Sequence, residues 1–147
     1  MLSGCSAELP MEKALQGTWV QDTPTSMTSQ GVQTTTADTV LNLYKNKKVQ
    51  LSRNLDIAGQ QLPQSGVSVS VELRGTWELV DTRLTMTLDN VLIIPRKNDA
   101  TTRQWADQLQ IQAQSSPPSI KTVISVENKQ LILQDVESGA TDVYTRK

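Results

Sequence analysis

The chain contains no histidine. That absence removes the commonest general base and the commonest metal ligand together. A Ser-His-Asp triad, a Cys-His dyad and every His-containing zinc site are excluded by composition. A single cysteine, Cys5, allows no intramolecular disulfide. Phenylalanine is missing as well, and only three Trp and two Tyr supply aromatic surface. A pocket lined with aromatics therefore lacks its material. No apolar run approaches the roughly 20 residues that a membrane-spanning helix needs. Neither sign of charge dominates: the formal net charge is −1 with 20% charged residues, so no basic surface is available to neutralise nucleic-acid phosphates. The densest basic cluster, Lys45, Lys47 and Lys48 around Asn46, fits a solvated hairpin tip. Gly-rich phosphate loops are absent, and no acidic pair has a defining spacing. Asp135 and Glu137 alternate around Val136 as a solvated strand face would. The expectation is a protein with no catalytic residue, no cofactor and no metal.

What the chain does contain is a period of two. In Val67-Ser68-Val69-Ser70-Val71-Glu72-Leu73 the apolar residues hold one phase, which continues through Gly75, Trp77 and Leu79. One face stays apolar over the whole stretch, as a half-buried strand requires. Gly75 permits a bend or bulge in so long a strand. After a turn at Asp81-Thr82-Arg83, Leu84-Thr85-Met86-Thr87-Leu88 alternates again, so residues 67–93 read as a hairpin. Further strands are predicted over Thr18–Asp22, Thr35–Tyr44, Val49–Leu55, Ile120–Val126, Gln130–Val136 and Thr141–Arg146. Turn signals separate them at Lys45-Asn46-Lys47, Glu127-Asn128-Lys129 and Ser138-Gly139. About eight short antiparallel strands match an up-and-down β-barrel or, alternatively, a two-layer sandwich. The Thr-, Ser- and Gln-rich residues 21–33 read as a loop at a barrel mouth or an edge open to a partner.

Two segments break the pattern. Residues 6–16 read as a tether and a turn or two of helix, with Pro10 at a first helical position, Glu12 in the first turn and Gly17 as the stop. Asn98–Ala113 reads as a second helix, capped by Asn98 or Asp99, with Trp105 and Leu109 one turn apart and Ser115-Ser116-Pro117-Pro118 ending it. The 147 residues then divide into a leader and short helix, 1–16, and one β-domain, 17–147, with a helical insertion at about 95–118. That insertion serves either as a lid on an open barrel end or as a partner-binding element through Trp105 and Leu109.

Leu2-Ser3-Gly4-Cys5 resembles a bacterial lipobox: an aliphatic residue, two small ones, then the Cys that is lipidated. The resemblance implies signal-peptide processing that leaves Cys5 carrying acyl chains, palmitate among them. Several chains give stable anchoring where one is marginal. With Ser6 rather than Asp after the Cys, it also implies a place in the outer membrane, facing the periplasm.

Gln16-Gly17-Thr18-Trp19-Val20 and Arg74-Gly75-Thr76-Trp77-Glu78 match each other. Glycine two residues before tryptophan, opening the first strand after a short helix, resembles the lipocalin signature. The second copy, in a hairpin that runs on to Leu84-Thr85-Met86, resembles the small lipocalin-like domains of exported bacterial proteins. That resemblance implies a barrel closed by Gly17, Trp19, Gly75 and Trp77, with Arg146 of the last strand packed over the first-strand Trp. Three functions remain open. One is a non-catalytic envelope lipoprotein that binds or assembles a partner protein, as pilotins do; this is the preferred expectation. The second is a lipocalin-like carrier of a small apolar ligand. The third, an enzyme, has no constellation to support it.

Overall fold

The computed structural model describes residues 10–21, 24–60, 62, 66–114 and 117–147. In chain order these form α1 (Pro10–Leu15), β1 (Gly17–Gln21), β2 (Thr25–Ser29), β3 (Val32–Leu43), β4 (Lys48–Gly59), β5 (Val67–Val80), β6 (Arg83–Pro95), α2 (Ala100–Gln114), β7 (Ser119–Val126), β8 (Gln130–Asp135) and β9 (Thr141–Arg146). From β3 to β9 each strand pairs antiparallel with the next, and β1 pairs with both β3 and β9. The result is a closed up-and-down barrel of eight strands, not a sandwich, with β2 as an additional strand on β3.

Turn chemistry sets the hairpins. The β3–β4 connection is a three-residue loop in which Lys47 takes φ +70° and Tyr44 and Lys48 close the ladder. Residues 21–33 are not simply a loop: β2 and β3 form a hairpin there, with Ser29 opposite Val32. Gln30 and Gly31, at φ +53° and +80°, make the two-residue turn, since positive φ at both positions matches the twist of the flanking strands. The Thr-rich tract has the β-propensity to form it.

Two packed clusters fill the barrel. At one end Leu15 of α1, Trp19, Leu43, Val49, Trp77, Leu84, Leu131 and Leu133 are buried together. At the other, Ile57, Val67, Val69, Val71, Leu73 and Val91 pack with Ala106 of α2. The helix α2 also mends a gap in the wall. β6 pairs with β7 only over Arg83–Met86. Beyond that point Gln110 acts as a substitute strand: its side-chain amide donates to Val91 O, and its Oε1 accepts from Ile93 N–H at 2.9 Å. An exposed β-edge is thereby covered.

Candidate functional site

The lipobox residues, Cys5 included, lie outside the described residues. The two Gly-Thr-Trp segments both lie at the α1 end, and they are built alike. Trp19 is fully buried, and its indole N–H donates to Leu15 O at 2.8 Å. Trp77 donates to Tyr44 O at 3.0 Å. A cation covers each ring: the Arg146 guanidinium lies 4.2 Å from the Trp19 centroid, and Lys47 Nζ lies 4.4 Å from that of Trp77. Lys47 is itself ion-paired with Glu12 of α1. Arg146 also donates to Ala14 O, Gln16 O and Asn128 O at 2.6, 2.9 and 2.7 Å. It thus fastens the last strand to the helix and to the β7–β8 turn, where the β1–β9 ladder supplies only the pairs Trp19–Arg146 and Val20–Thr145. Gly17, at φ +138°, leaves the space that this guanidinium occupies.

Gly75 has a different duty. The β5–β6 register slips between Arg74 and Gly75, because Asp89 is an extra residue on β6. A Cβ at Gly75 would overlap the carbonyl oxygen of Thr87 and sit 2.8 Å from its carbonyl carbon.

Trp105 and Leu109 do not form an outward patch. Both are half-buried and packed against the second cluster, while Ile111 of α2 is an exposed large apolar residue, 69% accessible. Asp99 caps this helix, accepting from Thr102 N–H at 2.8 Å and from Thr102 Oγ1 at 3.1 Å.

Between the two clusters the barrel holds a cavity of about 410 Å³. Leu41, Leu51, Leu55, Val71, Leu73 and Val91 give it apolar walls, and Leu109 and Gln112 of α2 contribute to its lining. Gln112 is exposed, so the cavity reaches solvent at that rim. Besides Gln112, five polar side chains line it: Arg53, Ser119, Lys121, Asp142 and Tyr144. Lys121 pairs with Asp135 at 3.3 Å, and Asp142 accepts from Gln21 at 3.3 Å. Asp135 therefore does not sit on a solvated face. It continues the inward phase of Leu131 and Leu133 and is half-buried, and its carboxyl is held below the usual range by the Ser138 backbone N–H and then the Ser138 side chain. Burial pushes the Tyr144 hydroxyl up to about 12; the negative charge of Asp142 adds to this and Arg53 opposes it.

Arg53 differs from its neighbours. Its Nε is buried and has no hydrogen-bond partner, and among the described residues it forms no ion pair. The bulge between Ala37 and Val40 on β3 sets Asp38 and Thr39 opposite it, a local feature that re-aims side chains. Expectations from the sequence did not single Arg53 out. A signal was present: in Val49-Leu51-Arg53-Leu55-Ile57 one charged residue interrupts an otherwise apolar phase.

The fold and this interior define a class: a small closed antiparallel barrel with a mostly apolar internal cavity. No family model matches the chain, and no curated protein matches it.

Proposed function

We propose that the chain is a lipocalin-like carrier that holds a small, mostly apolar ligand inside its barrel, tethered to the outer membrane through lipid on Cys5. The carrying observation is the interior cavity of about 410 Å³, within the roughly 300–1,000 Å³ of small-molecule sites. Most of its lining is aliphatic, so bulk and flexibility of the ligand are tolerated and ring stacking is not demanded. The Arg146–Trp19 stack behind Gly17 supports the lipocalin resemblance.

The test is saturation binding of a neutral, environment-sensitive apolar dye. Wild type should bind one equivalent. A cavity-filling variant, Leu51→Phe, should keep its circular dichroism spectrum and lose the dye. Equal binding by both proteins would remove the cavity from consideration. The anchor has its own test: mass spectrometry of the full-length protein extracted from membranes should find acylated Cys5, and a free thiol there ends the tether proposal.

A partner-docking role is the second reading, and β2 is the observation that favours it. All five of its residues are exposed, Met27 at 73%, and its pairing is with β3 alone. An extended segment of an envelope protein could add to that edge. Thr28→Pro should abolish such pairing and leave dye binding unchanged.

A further inference from the structure

One buried polar atom in the cavity lining is unsatisfied. Of its two cationic side chains, Lys121 is matched by Asp135, and Asp142 is engaged by Gln21. Arg53 is left with a buried, unsatisfied N–H. A buried N–H with no acceptor is costly, and buried polar groups elsewhere in proteins are almost always paired. Retaining an Arg at a position that alternation assigns to an aliphatic residue therefore serves something the empty protein does not supply.

We propose that the cavity takes a monoanionic amphiphile whose carboxylate pairs with Arg53 and whose apolar chain lies along Leu51, Leu55, Val71, Leu73 and Val91. This rests on the carrier reading above and specifies its ligand. The guanidinium fork matches a carboxylate with two parallel hydrogen bonds, which a lysine cannot provide. Tyr144 also lines the cavity, and burial keeps its hydroxyl protonated and able to donate. A dianion is disfavoured because Asp142 shares the same lining and repels a second negative charge. At a liquid share of roughly 30 Å³ per water-sized group, the volume suits a chain of moderate length rather than a two-tailed lipid.

Isothermal titration of the delipidated full chain with octanoate, octanol and octylamine tests this. Octanoate should bind wild type roughly ten- to a hundredfold more tightly than octanol, the margin of a charge-assisted hydrogen bond, and octylamine most weakly. Arg53→Gln should erase that margin while octanol binding persists. Arg53→Met should do the same and raise the Tm of the empty protein, because an unsatisfied buried N–H is replaced by an apolar group. Arg53→Lys, which keeps the charge, should retain part of the margin. Equal affinity for octanoate and octanol in wild type overturns the anion site and leaves the carrier standing. A margin that survives in Arg53→Gln overturns the role of Arg53. Binding of none of the three probes overturns both readings.

Discussion

Gly75 occupies a point where two backbones nearly touch. The slip in the β5–β6 ladder brings Leu88 Cα to 3.0 Å from where a Cβ would stand. Neighbouring backbone cannot retreat as a flexible side chain would, so Gly75→Ala should destabilise by roughly 3 kcal/mol, read as a lower urea midpoint. Tyr144 yields a second prediction at this scale. Its hydroxyl is raised from 10 to about 12, so the folded state holds its proton more tightly than the unfolded chain. Stability is therefore full below pH 10 and falls as pH rises toward 12. The loss corresponds to roughly 3 kcal/mol. Tyr144→Phe should flatten that alkaline decline in denaturation midpoints, and an unchanged slope would assign it to another group. Arg53 belongs to the same scale: its charge lies in a phase of aliphatic neighbours, and what it faces follows from a bulge on β3.

Among the elements, α2 matters most because it does three things at once. It packs Ala106, Trp105 and Leu109 on the second cluster, it covers the unpaired part of β6 through Gln110, and it lines the cavity with Leu109 and Gln112. Its Asp99 cap is held below the usual carboxylate range, first by the Thr102 backbone N–H and also by the Thr102 hydroxyl. The sign follows from linkage: a depressed folded value means support that is present above pH 3.8 and lost as pH falls through the folded value. Wild type should show acid-induced exposure of Trp105 fluorescence, and Asp99→Asn, which still caps, should show less dependence on pH. Trp105→Ala should destabilise the barrel, since its ring fills the cluster rather than waiting for a partner. The helix was legible in the sequence from its cap, its Pro-Pro stop and its one-turn apolar spacing. Its packing direction was not, because spacing places Trp105 and Leu109 on one face without saying what that face meets.

At the scale of the whole molecule, closure depends on the two ends of the chain. β1 and β9 share only two register pairs, so Arg146 carries much of the join through three carbonyl contacts and the Trp19 stack. Arg146→Lys should preserve the charge over Trp19 and lose the forked geometry. It should lower Tm and speed amide exchange in β1 and β9 before the β4–β5 ladder. Uniform exchange across all strands would show that closure does not rely on this residue.

Alternation determined the barrel strands but not β2, whose five residues are all exposed, because side-chain direction along an extended chain is a local property that shows only where one face is buried. The same holds for the α1 boundaries and for the matched Gly-Thr-Trp segments, whose glycines and tryptophans announce close approach and buried bulk. Only the tertiary structure decided that the sheet closes rather than splitting into two layers, since closure depends on register between β1 and β9, which lie at opposite ends of the chain. Only closure, in turn, brings Arg53, Lys121, Asp142 and Tyr144 from three strands around one cavity. Each is an ordinary polar residue in its own strand. Their shared, partly dry enclosure turns the guanidinium of Arg53 from a surface charge into a candidate site.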